Sequence, residues 1–165
     1  MRRLFLPLFF ALAIAVTATI LATSGMLPER VASHFASGGA ANGWMSREAY
    51  VLIVLAMATL LPLFIVAMMA RLPRMNPRRI RLPHRDYWLA PERRDATFAT
   101  FAGFAWALAC ALTLFIGGMH WTILDANATT PPRLAESAAD LLAFGFGTVV
   151  AAWAIALYLR FRRSD

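Results

Sequence analysis

Residues 50–70 read YVLIVLAMATLLPLFIVAMMA, and residues 71–94, directly after them, read RLPRMNPRRIRLPHRDYWLAPERR. The first stretch holds no Asp, Glu, Lys or Arg, and the second holds eight arginines. A helix needs about 20 apolar residues to cross a hydrocarbon core about 30 Å thick. A charge-free run of that length, stopped abruptly by a dense basic segment, reads as a transmembrane helix meeting lipid headgroups.

Three more stretches have the same character on either side of it: residues 4–25, 98–121 and 141–159, again without Asp, Glu, Lys or Arg. They lack the alternation that a membrane barrel needs, and in lipid only helices and closed barrels satisfy their own backbone groups. The expected fold is all-α: a polytopic membrane protein forming one four-transmembrane-helix bundle over residues 1–165. A short ordered extracytoplasmic cap is expected at 26–48 and an arginine-rich loop at 71–97. Pro62 predicts a kink in the second span. Ser46 with Glu48 predicts the start of the second helix, Pro91 with Glu92 that of the third, and Ser137 with Asp140 that of the fourth.

Composition agrees. The chain of 165 residues is 60% hydrophobic and 15% charged, with a mean hydropathy of +0.60. Soluble domains carry about 45–50% apolar and about 25% charged residues, and a short chain has too much surface to hide such an excess from water. The net charge is +7, and every one of the 16 basic residues is arginine. With abundant alanine, this usage points to a GC-rich bacterial genome. Because the arginines flank apolar runs, the expected partner is a bilayer with anionic headgroups, not nucleic acid.

Arginine placement also orients the chain. Thirteen of the 16 lie before the first span, between the second and third, or after the fourth, whereas Arg30, Arg47 and Arg133 lie in the other connections. The positive-inside rule then places both termini and the middle loop in the cytoplasm of a bacterial inner-membrane protein. The first span exceeds the ~7–15 apolar residues of a signal peptide, so it is expected to be retained.

The cap reads LPERVASHFASGGAANGWMSREA over residues 27–49. Val31, Ser33 and Phe35 alternating with Ala32 and His34 predict an extended stretch. Gly38-Gly39 and Asn42-Gly43 are both turn signals, and Asn-Gly suits a hairpin. His34, Phe35, Asn42 and Trp44 are the candidate binding residues of this cap, for a protein or peptide partner. In the middle loop, prolines 73, 77, 83 and 91 forbid one continuous helix. An irregular segment pressed on headgroups is expected there, with Arg78, Arg79, Arg81, Arg85, Arg93 and Arg94 in contact and Tyr87 and Trp88 dipping into the interface. Trp44, Tyr50, Trp121 and Tyr158 complete an aromatic belt. Ala99, Gly103, Ala107 and Ala111 in the third span, and Gly147 with Ala151 in the fourth, form small-residue stripes that predict the tightest pairing between these two spans.

These residues include no catalytic constellation. Intramembrane ionisable groups mark proton relays and ion paths, and the spans contain no Asp, Glu, Lys or Arg, with His120 at the outer end of the third. There is no HExxH zinc motif, no serine with a base and no phosphate loop, so neither an enzyme nor a cofactor is expected. Cys110 reads as a small packing residue. One polar cluster is left: His34 and His120, sharing a membrane face with Glu29, Asn42 and Asp125, as a candidate metal or polar-ligand site. The alternative is that His34 braces its own loop while His120 sits at the wet interface. Asn127-Ala128-Thr129 has the form of a glycosylation sequon.

Leu27-Pro28, His34-Phe35, Gly39, Asn42-Gly43-Trp44 and Ser46-Arg47, followed by Ile80-Arg81-Leu82-Pro83 and the run Asp86 to Arg94, resemble the bacterial domain of unknown function (DUF1648) that opens SdpI-type immunity proteins. The resemblance covers about residues 1–135. It implies a membrane protein of immunity or signalling type, although the further membrane domain of SdpI has no counterpart here. The expected role is therefore a non-enzymatic binding, immunity or regulatory protein. The alternative is a transport or permeability component, or an accessory subunit of a larger membrane complex. A polar passage between the helices would favour the alternative, and a closed bundle with only an outer cleft the first reading.

Overall fold

A computed structural model describes residues 2–75, 80 and 82–162. Arg78, Arg79 and Arg81, assigned above to headgroup contact, lie outside the described residues. The element order is α1 (Arg2–Thr23), a single 3-10 turn, β1 (Arg30–Phe35), β2 (Ala41–Ser46), α2 (Arg47–Met75), the one-turn α3 (Arg85–Trp88), α4 (Arg94–Asn127) and α5 (Glu136–Arg162). Four of these helices are long and apolar enough to cross a membrane, and the chain is a multi-pass membrane protein of mainly helical fold. α2, α4 and α5 extend past the apolar stretches 50–70, 98–121 and 141–159 and take in charged residues at their ends, whereas α1 ends at Thr23.

The helices run up and down, so one end of the bundle carries the hairpin and the opposite end carries the arginines. At the cap end Ile20, Val54, Ile116 and Leu124 pack with Leu27 and Val31, which descend from the cap. At the arginine end Phe9, Val66, Ala105, Trp106 and Cys110 form a second cluster. Both clusters draw on α1, α2 and α4. Apolar clusters thus pack between these helices at both ends.

Helix α4 lies at the centre, packed most extensively on α2, then on α1, and less on α5. This corrects the expected pairing of the third and fourth spans. Gly103 is buried in α4, but a Cβ added at Gly147 would meet nothing within 4 Å, so the stripe of the fourth span faces away from the bundle. Gly117 and Gly118 set the close approaches instead. A Cβ at Gly117 would come 3.1 Å from Val16 of α1, and one at Gly118 3.0 Å from Leu142 of α5. Neighbouring positions on a helix point about 100° apart, so one Gly-Gly pair lets α4 approach two helices at once.

α2 runs unbroken through Pro62. Proline has no N–H for the carbonyl four residues earlier, which here belongs to Ala58. The Thr113 hydroxyl of α4 donates to that carbonyl over 3.1 Å, so the group left over by proline is satisfied across the helix interface. Ser46 caps α2 as expected, its Oγ accepting the Ala49 N–H at 3.2 Å. α4 begins at Arg94, after a turn at 90–93, and α5 begins at Glu136 with Ser137 inside its first turn.

Candidate functional site

The cap is an antiparallel hairpin. Val31 pairs with Met45, Ala32 with Trp44 and His34 with Gly43, with register shifts around His34. The irregularity at Ser33 lets Val31 and Ala32 both turn inward and His34 turn out. The reversal sits at Ser37–Gly39, where the Ala36 carbonyl accepts the Gly39 N–H at 3.0 Å and Gly38 and Gly39 have φ of 91° and 76°. Asn42-Gly43, read above as a hairpin turn, lies within β2. Gly43 there serves clearance: a Cβ would come 3.0 Å from that of His34.

Two ties fix this hairpin to the bundle. The side-chain amide of Asn127, the last residue of α4, accepts the Ala32 N–H at 2.8 Å and donates to the Ala32 carbonyl at 2.9 Å and to the Ile123 carbonyl at 2.8 Å. It imitates one rung of a β-ladder and closes the free edge of β1. The hairpin tip is held by the α4–α5 connection: the Leu134 N–H donates to the Gly39 carbonyl at 2.8 Å, Arg133 to the Gly38 carbonyl at 2.9 Å, and the Gly38 N–H to the Glu136 carboxylate. The sequon reading noticed Asn127 for an unrelated reason. Its pairing with a residue 95 positions away leaves no local signal.

Beneath the cap His120 is fully buried and both ring nitrogens are engaged. Nε2 lies 2.8 Å from the Thr23 hydroxyl of α1, and Nδ1 lies 3.0 Å from the Tyr50 hydroxyl of α2. Thr23 also donates to the Thr19 carbonyl at 2.8 Å, which leaves its oxygen to accept from Nε2–H. Nδ1 must then accept from Tyr50. The network therefore assigns the neutral Nε2–H tautomer and joins three helices through one imidazole. A buried polar group left unpaired costs roughly 1–3 kcal/mol, and this knot leaves none.

The two histidines read above as a candidate metal or polar-ligand site have separate partners. His120 offers no free nitrogen, while exposed His34 engages neighbouring Ser33 at 3.0 Å. Among the described residues no group of three or more His, Cys, Asp or Glu is placed to hold a metal ion. Beside the knot, a half-open cleft of about 200 Å³ between α1 and α4 is walled by Val16, Ile20 and Leu114, with Gly117, Gly118 and His120 also lining it.

Of the candidate cap residues, His34, Asn42 and Trp44 point outward, and Trp44 is 48% exposed. Phe35 is a correction: it packs against the cap-end core, because the register shift returns it to the inner face. At the arginine end Arg93 and Arg94 are exposed and Arg85 half-exposed. Trp88, expected at the membrane interface, is packed within the protein. It is 8% exposed, its indole donates to the Phe161 carbonyl at 3.0 Å, and its own carbonyl accepts from Thr97 at 2.9 Å. An indole that caps a leftover carbonyl in the last turn of α5 is better satisfied there than at the headgroups. Tyr50 likewise belongs to the knot and not to an aromatic belt.

Residues 8–60 match a family model described as Domain of unknown function (DUF1648). The matched stretch runs from α1 through the cap into α2. The resemblance described for the middle loop and beyond lies outside it. No curated protein and no solved structure matches the chain.

Proposed function

We propose that this chain is a non-enzymatic binding protein of a bacterial inner membrane, which meets a protein or peptide partner through the outward face of its cap. The observation that carries this reading is the double fastening of the hairpin, by Asn127 along one edge and by the Arg133–Glu136 connection at the tip. A tied-down hairpin presents His34, Asn42 and Trp44 in a fixed arrangement, so little ordering entropy is lost on binding. Exposed tryptophan is also a residue type enriched where interfaces concentrate their energy. Immunity or regulation is the form this binding takes by resemblance to SdpI-type proteins.

Between α1, α2 and α4 apolar clusters fill the interior and the buried polar groups of the His120 knot are bonded to one another, which supports binding over transport, since a solute path needs polar groups open to it. The deciding comparison pairs two measurements. A photo-crosslinking residue at position 44 is expected to give a discrete protein or peptide adduct in cells, and the same probe at lipid-facing position 155 is not. Purified protein in sealed vesicles is expected to leave proton and small-solute leakage at the level of protein-free vesicles. Leakage that rises with protein content, together with no adduct at position 44, would replace this reading with a permeability role.

A further inference from the structure

The arginine end carries an organised group of side chains that the fold does not use for its own charge balance. Tyr87 and Trp88 pack edge to face with centroids 5.1 Å apart. Trp88 is fastened to both neighbouring helices through the Phe161 carbonyl and Thr97. Over this platform lie two guanidiniums from different elements: Arg93, 4.0 Å from the Tyr87 ring centre, and Arg160 of α5, 4.8 Å from that of Trp88. Both arginines are exposed, and neither has a carboxylate or hydrogen-bond partner among the described residues. The ion pair described at this end joins Arg85 to Asp86.

A ring beneath a guanidinium restricts a long side chain without using its N–H donors, which radiate in the guanidinium plane. The cost of ordering two arginines has thus been met before any anion arrives, and their donors have no acceptor among the described residues. The platform sits where a span gives way to a basic connection, at headgroup depth. We propose that Arg93 and Arg160, braced on Tyr87 and Trp88, form a seat for the phosphate headgroup of an anionic phospholipid. The seat is independent of what the cap binds. It differs from diffuse attraction in needing two guanidiniums held over the two rings.

The test uses the full chain, delipidated in detergent and titrated with phosphatidylglycerol or phosphatidylcholine, with bound lipid counted by native mass spectrometry. Wild type is expected to retain phosphatidylglycerol preferentially. R93Q and R160Q should each weaken retention about fivefold, the factor one basic residue contributes at an anionic surface, whereas R30Q at the cap end should not change it. R93K and R160K keep the charge and the fold but lose the flat, bidentate group, and should also bind more weakly than wild type. Lysine variants equal to wild type, an R30Q loss as large as that of R93Q, or displacement of the lipid by millimolar inorganic phosphate would each overturn the seat.

Discussion

Thr113 and Pro62 show how a single side chain repairs what another removes. Proline strips the Ala58 carbonyl of its helical partner, and the Thr113 hydroxyl supplies a replacement at 3.1 Å from the neighbouring helix. Such interhelical bonds contribute about 0.6 kcal/mol on average in lipid and at most about 1.7. Thr113→Val should therefore lower stability in detergent by roughly that amount. In a Pro62→Ala background the backbone N–H restored at position 62 can take the carbonyl, so the same substitution should become nearly neutral. A double-mutant cycle of unfolding free energies measures the difference, and equal costs in both backgrounds would refute the coupling. Proline was visible in the sequence as a disturbance within an apolar run. Its remedy was not, because the helix crossing decides which residue of α4 faces Ala58. The roles of His120 and Asn127 were hidden for the same reason: each was noticed in its own stretch, but acquires its role from partners on distant elements.

Among the elements, the four spans were fully legible, since twenty charge-free residues have few fates other than a membrane helix. The cap hairpin was legible in kind but not in register. Gly38-Gly39 and Asn42-Gly43 compete as turns, and docking onto the α4–α5 connection settles the matter for the first pair. Helix pairing was misread because small residues at four-residue spacing are common in alanine-rich spans. Gly117 and Gly118 meet other helices closely, and their adjacency is no stripe. The docking of the tip gives an ordered expectation. At Gly38 an added Cβ meets nothing within 4 Å, whereas at Gly39 it runs into the Leu134 carbonyl. Both have positive φ, which costs an L-residue roughly 1–2 kcal/mol. Gly38→Ala should lose about that much, and Gly39→Ala more, with the added loss of the Leu134–Gly39 bond. Hydrogen exchange should then rise at residues 133–136 in Gly39→Ala and remain low in Gly38→Ala. Equal exchange in the two variants would show that the tip is not clamped at Gly39.

At the scale of the molecule, the hairpin with its fastenings occupies one end of the bundle and the Tyr87–Trp88 platform with its arginines the other. The sequence predicts which end faces which compartment: thirteen of sixteen arginines fall on one side, and basic residues near the ends of spans are retained in the cytoplasm during insertion. Up-and-down helices make the assignment all-or-none, because fixing one connection fixes the others. Cys110 is the chain's single cysteine, so a C110A background carries no thiol. In that background Asn42→Cys in the cap and Arg94→Cys at the start of α4 each place one thiol at an exposed position, at opposite ends of the bundle. An impermeant maleimide added to intact cells should label position 42 fully, and position 94 only after the membrane is opened. The reverse pattern would mean that the cap faces the cytoplasm and a cytosolic partner, and that the arginine platform meets the outer leaflet. Labelling at both positions in intact cells would mean that the chain inserts in two orientations, and that the arginine bias is too weak to direct it.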